Sequence, residues 1–257
     1  MRSSGTSRTR STRSASARPP SPQIARIGAQ GAGMERPAPD RCRLVLVLPP
    51  ELGPDDAPAA LRDALEGGDV ASLIVPAHSL GERAYSDHLK ALAAIAQPAG
   101  VAVIADRDVR LAGRLQLDGV HLPGDLDEVA DMMDRVRGRM SVGVEGPRTR
   151  DRAMELGELE PDYVMFGRLD GDTHEAPMPK NLELAEWWAS MIEIPSVVMC
   201  GTDLDGVVEC AETGAEFVAA SRAVFAETGR AREMVSRANT MLDQNAPRFA
   251  PRREGGR

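Results

Sequence analysis

Aromatic side chains supply only 3% of this chain, so Leu, Val, Ile, Ala and Met must fill whatever interior it builds. Lysine is almost missing: Lys90 and Lys180 are the only two, and arginine carries nearly all the positive charge. No apolar run approaches the roughly 18 residues of a membrane-spanning helix, so no membrane partner is expected. Cysteine is limited to Cys42, Cys200 and Cys210, an odd number with no metal-type spacing. That pattern fits reduced thiols in a cytoplasmic protein better than a disulfide framework or a zinc site.

What is present is unevenly distributed. The formal net charge of the 257 residues is −8, but residues 1–40 hold seven arginines against Glu35 and Asp40. Residues 246–257 hold four arginines against Glu254, so both ends are basic and the middle is strongly acidic. An acidic body argues against nucleic acid as a partner. Residues 1–40 are low-complexity Ser, Arg and Pro with no apolar period, and are expected to be disordered, as are residues 243–257. Three readings of the start stay open, in this order: translation beginning at Met34, a disordered tail, and an Arg/Ser-rich transit peptide. The first is favoured by the Arg-for-Lys, Ala, Gly and Pro bias of a GC-rich gene. Deleting residues 1–33 is expected to leave the melting temperature unchanged within error. A drop of several degrees would make that segment structural.

The chemistry centres on residues 101–125, VAVIADRDVRLAGRLQLDGVHLPGD. Val101-Ala102-Val103-Ile104 is short and rich in β-branched residues, which suits a strand buried on both faces. Ala105-Asp106-Arg107 follows, then two helical turns over 109–115. A second strand over 118–122 is closed by Pro123-Gly124-Asp125. Strands joined by a helix run parallel, so both loops leave the same edge of the sheet. Asp106, Arg107, His121 and Asp125 are thereby predicted at the edge where parallel α/β proteins carry their chemistry.

The alternation extends in both directions. Strands are predicted over 43–48, 70–75, 140–144, 163–166, 196–199 and 216–219, each followed by a helix, the last running unbroken from 221 to about 242. Eight strand–helix pairs in about 200 residues, with no inserted domain, predict a single (β/α)₈ barrel over 41–242. An open doubly wound sheet is the alternative. His88 and both lysines are expected at the surface, and of Trp187-Trp188 one is expected in the core.

In barrels the loops after strands seven and eight commonly bind phosphate through backbone N–H groups and a helix N-terminus. Here they are Cys200-Gly201-Thr202 and Ser221-Arg222, with Gly201 allowing close approach and Arg222 offering a bidentate charge. A turn glycine and an N-capping serine is the plainer alternative. Asp106 and Asp125 are candidates to share a Mg²⁺, which takes one or two carboxylates plus phosphate oxygens. Against that, Asp106 can pair with Arg107 or cap the next helix, and Asp125 can cap the helix starting at 126. His121 is a candidate acid or base near neutral pH, or a hydrogen-bonded strand-end histidine. His78 and His174 fall in loops at the same edge.

The motifs I-A-D-R at the third strand, D-G-V-H-L at the fourth, Y-V-M-F-G at the sixth, C-G-T at the seventh and A-A-S-R-A-V-F at the eighth resemble thiamine phosphate synthase and its TenI relatives over about residues 43–226. The resemblance implies a (β/α)₈ barrel that joins a hydroxymethylpyrimidine diphosphate to a thiazole phosphate. It also implies Mg²⁺ on the departing diphosphate and a carbocation-like pyrimidine. Residue by residue it keeps Asp106, Arg107, Thr173, Gly201 and Ser221, and places His174 where the family has lysine. The family's Q-x-R-x-K after the second strand is replaced by Val75-Pro76-Ala77-His78-Ser79, and its N-D-R by Ala105-Asp106-Arg107. Pro123-Gly124-Asp125 is one residue shorter than the family's G-Q-E-D. Glu145 and Pro147 stand where a serine and the TenI histidine would be.

A charge-assisted phosphate contact is worth about 1.5–3 kcal/mol, and each ~1.36 kcal/mol is tenfold in rate. The expectation is therefore a family transferase with a weakened diphosphate clamp. Two alternatives remain: an inactive member that binds a phosphorylated ligand as a sensor or partner subunit, and an enzyme on another phosphorylated substrate that uses Asp106, His121 and His174.

Overall fold

The computed structural model describes residues 40–136, 138–170 and 173–249. Eight strands alternate with helices: β1 (Arg43–Val47), β2 (Ser72–Val75), β3 (Ala102–Asp106), β4 (Gly119–Pro123), β5 (Ser141–Glu145), β6 (Tyr163–Phe166), β7 (Ser196–Met199) and β8 (Phe217–Ala220). The intervening helices are α1 (Ala57–Leu65), α2 (Glu82–Ala96), α3 (Val109–Arg114), α4 (Leu126–Val136), α5 (Arg150–Glu158), α6 (Pro179–Met191) and α7 (Gly206–Glu212), with α8 (Arg222–Phe225) and α9 (Ala231–Asn245) at the end. Each strand pairs in parallel with the next, and β1 pairs with β8 through Leu46 opposite Ala220, so the sheet closes. The fold is the expected (β/α)₈ barrel, and the open sheet is ruled out by that last pair.

Period-two patterning sorts the side chains into two layers. Val45, Ile74, Ile104, Met165, Val197 and Ala219 point into the barrel, while Leu44, Leu73, Val103, Val164 and Val218 face the helices. An acid ahead of a strand recurs as a fastening at the N-terminal rim. Asp118 accepts from the N–H of Val103 at 2.8 Å, Asp162 from Val142 at 2.7 Å, and Glu216 from Ser196 at 2.9 Å. The acid that opens D-G-V-H-L is therefore structural, tying β3 to β4 at the end away from the mouth.

Three expectations are corrected. The last helix is not continuous: α8 stops at Phe225, the chain turns over 226–230 with Gly229 at φ +77°, and α9 then packs against α1 and α7. The folded chain also extends past residue 242. Arg41, 2% exposed, donates to Asp243, Asn239 and the Cys42 carbonyl, its backbone forms an isolated antiparallel β-bridge with that of Arg248, and Phe249 is buried. Residues 1–39 and 250–257, where the tail expectations fall, lie outside the described residues. Finally, His88 is buried, because it shares the α2 stripe of Tyr85, Leu89 and Leu92, and that burial lowers its pKa. Lys90 and Lys180 are exposed. Trp188 is fully buried, and Trp187 is half-buried under the Arg150 guanidinium at 5.2 Å. All three cysteines are buried thiols, and among the described residues no helix is long and apolar enough to cross a membrane.

Candidate functional site

Asp106 is the last residue of β3 and stands at the C-terminal mouth, 22% exposed. Its backbone N–H donates to the Tyr85 hydroxyl at 2.8 Å, which in turn donates to the Val75 carbonyl at 2.6 Å. One tyrosine on α2 thus pins the ends of β2 and β3 together. The carboxylate accepts from the Ala77 N–H at 3.2 Å through Oδ2, and Arg107 Nε lies 3.6 Å from Oδ1. Asp106 does not cap the next helix: Asp108 does, accepting from Leu111 N at 2.9 Å. Arg107 and His78 both sit in the left-handed region, at φ 58° and 46°, which costs non-glycine residues energy and marks tight loops at this rim. His78 Nε2 donates to the Leu48 carbonyl at 3.1 Å.

His121 lies one layer below the mouth, only 1% exposed. It shares a register row with Gly143 on β5 and Tyr163 on β6. A Cβ on Gly143 would fall 1.9 Å from the Tyr163 ring, so glycine there is what lets the phenol cross over β5. The Tyr163 hydroxyl reaches His121 Nδ1 at 2.8 Å, and the rings stack at 5.7 Å. Burial raises the Tyr163 pKa, so the phenol stays protonated. His121 Nε2 has no hydrogen-bond partner among the described residues and faces Glu145 Oε2 at 3.6 Å. The group presented to the mouth is Glu145, in the next inward-facing row of β5 above His121 and opposite Pro123 and Met165. Its carboxylate accepts from Leu169 N at 2.7 Å, and Leu169 packs on the interior cluster from above.

The loop between β6 and α6 takes up donors that the sequence pattern assigned to phosphate. Thr202 N donates to the His174 carbonyl at 2.8 Å, and Asp203 N to the Glu175 carbonyl at 3.1 Å. A Cβ on Gly201 would meet Glu175 O at 2.0 Å. Gly201 does permit close backbone approach, but the approaching backbone is the chain's own. The Thr173 hydroxyl and His174 Nδ1 are 3.1 Å apart, and both side chains are exposed.

At the β8 end, the four-residue α8 is too short to develop a helix dipole, so the expected helix N-terminus contributes little and side chains must do the binding. Ser221 is fully buried, makes no side-chain cap, and its hydroxyl has no partner among the described residues. Arg222 beside it bonds Glu51 Oε1 through Nη2 at 2.8 Å and Nε at 3.3 Å. That guanidinium holds the Glu51 carboxyl below the usual range. Thr202, Arg222, Arg230 and Arg237 border one crevice of 320 Å³. Asp125 is exposed and accepts from Glu128 N at 3.0 Å, so it caps α4. Among the described residues no group of three or more His, Cys, Asp or Glu side chains gathers as a metal site.

Residues 44–224 match the family model described as thiamine monophosphate synthase. The chain belongs to this family. A thiamine-phosphate synthase of Hyphomonas neptunium is 34% identical over 191 residues, 72% of this chain and 86% of that one. One from Erythrobacter litoralis is 34% identical over 183 residues, 68% of this chain and 84% of that one. Among solved structures, thiamine phosphate pyrophosphorylase from Pyrococcus furiosus superposes with a TM-score of 0.67 at 20% identity, covering 80% of this chain and 97% of that one. That likeness speaks for the barrel.

Within this thiamine monophosphate synthase family member, the sequence pattern found Asp106, Arg107, Ser221 and Arg222 at the mouth but missed Tyr85, Glu51 and the outward role of Glu145. One signal was available for the first. The chain has only two tyrosines, Tyr85 on the apolar stripe of α2 and Tyr163 at the start of β6, and a buried phenol needs a partner for its hydroxyl. Glu51 carries no local signal.

Proposed function

We propose that the protein is a transferase of the thiamine-phosphate synthase type, joining a hydroxymethylpyrimidine diphosphate to thiazole phosphate in the cytoplasm, with a firm thiazole-phosphate end and a weakened diphosphate end. The observation that carries this is Ser221: a fully buried hydroxyl without a partner, beside Arg222, is costly unless a ligand oxygen completes it. Arg222 supplies the charge a phosphate dianion favours.

Asp106 fits Mg²⁺ as a single carboxylate, which suffices for a cation that otherwise binds substrate phosphate oxygens. Asp125 fits less well, with one oxygen spent on α4. When bound, the ion would offset charge on the departing diphosphate. Arg107, next to Asp106, adds a cation on the same side. As the pyrimidine–oxygen bond breaks, positive charge grows on the ring, and Glu145 is the mouth carboxylate that can balance it. The Leu169 N–H fixes that carboxylate, while the Leu169 side chain covers the apolar interior and limits water at the cation. Thr173, His174 and His78 border the mouth as ligand contacts in this reading.

Calorimetric titration with thiazole phosphate tests the phosphate end. The wild type is expected to bind, and Arg222→Ala to weaken binding about 10- to 100-fold, the worth of one charge-assisted contact. Absence of wild-type binding at millimolar ligand would overturn the reading.

A further inference from the structure

We propose that Glu51 sets the charge requirement of the phosphate position, occupying Arg222 as an internal carboxylate that only a dianion displaces well. The inference rests on the phosphate reading above. It starts from closure of the barrel: β1 lies against β8, so the loops that follow them stand side by side although Glu51 and Arg222 are 171 residues apart. The β1 loop is a tight turn in which Leu52 N donates to the Pro49 carbonyl at 3.1 Å. Pro50 occupies the second position, where its fixed φ suits the turn, and Glu51 the third. His78 braces the residue before this turn through its bond to the Leu48 carbonyl. The carboxylate is therefore held toward the β8 loop by rigid backbone.

Nε and Nη2 of Arg222 both donate to Glu51 Oε1, and the Glu51 side chain is 65% exposed. Such a pair is screened and readily exchanged. An incoming monoanion would replace one carboxylate by another single charge, with no net gain. A phosphate dianion brings a second charge and three acceptor oxygens, enough for a bidentate bond to Arg222 and for the Ser221 hydroxyl. Asp56 and Glu227 border the same groove as Glu51 and Arg222, so the surroundings further disfavour weakly charged ligands. Neutralising Glu51 should tighten binding and relax this selectivity together.

The test is calorimetry on the full chain with thiazole phosphate and with the corresponding thiazole carboxylate. The proteins are wild type, Glu51→Gln, Glu51→Ala, Arg222→Ala and the Glu51→Gln/Arg222→Ala double variant. Either Glu51 variant is expected to bind the phosphate about two- to fivefold more tightly, and the carboxylate by at least as large a factor. In the Arg222→Ala background the gain should vanish. Unchanged affinity in both Glu51 variants, with Arg222→Ala still weakening binding, would overturn the role of Glu51 and leave the phosphate reading standing. A gain that persists without Arg222 would also overturn it. If no protein binds either ligand, the phosphate reading falls and this inference with it.

Discussion

Gly143→Ala is expected to destabilise the barrel by about 2–5 kcal/mol, lowering the melting temperature by about 5 to 15 °C. The glycine is required for space rather than for backbone freedom. An added Cβ would lie 1.9 Å from Tyr163 Cζ and 2.3 Å from both ring Cε atoms, distances no buried ring can absorb in place. Moving the ring would break the 2.8 Å contact with His121 Nδ1 and leave two buried polar groups unpaired. Thermal denaturation checks this. In a Tyr163→Ala background the added methyl should cost far less, because the obstructing ring is gone. A single variant that melts within a degree of wild type would remove the argument that Gly143 makes room for the phenol.

Asp106→Asn is expected to reduce thiamine phosphate formation more than about 100-fold while leaving the fold intact. The amide oxygen can still accept from Ala77 N, and the backbone bond to Tyr85 is unaffected, so the change removes charge and little else. The wild type itself is expected to turn over well below a family member that carries Q-x-R-x-K after the second strand, since Val75, Ala77 and Ser79 offer no cation there. Complementation of a synthase-deficient, thiamine-requiring strain, with an in vitro assay alongside, measures both. Full growth on the wild type would refute the weakened clamp and point to His174 in the lysine's place. Equal activity of wild type and Asp106→Asn would remove Asp106 from the mechanism.

Much of the architecture was legible because it depends on short-range patterns. Apolar runs of four or five residues ending in glycine, proline or an acid define the strands, and their alternation with helical stripes implies parallel pairing. Local patterning also placed Asp106, Arg107, Ser221 and Arg222 at one rim, since βα loops must all leave a parallel barrel on the same side. It failed where a single residue's geometry outweighed the pattern. The apolar residues after Arg222 run on to Ala226, but the chain turns there, with Gly229 at positive φ, before α9 begins at Ala231. The histidine at position 88 reads as polar, yet helical spacing carries it into the α2 core.

Other features lay beyond any local pattern. Period two says that His121 and Glu145 point inward, but not which is buried and which meets the mouth. Depth follows from the stagger of the strands, which sets His121 in the row of Gly143 and Tyr163 and lifts Glu145 one step above it. Nor does chain order alone show that the β6 loop lays its carbonyls on Gly201 and Thr202. The order and direction of the strands, the layers they separate and the rim that carries chemistry all follow from residue type and spacing. The Arg41 anchor to α9, the Tyr85 clasp and the Glu51–Arg222 pair exist only because closing the barrel joins side chains from distant parts of the chain, and no local energy distinguishes those residues beforehand.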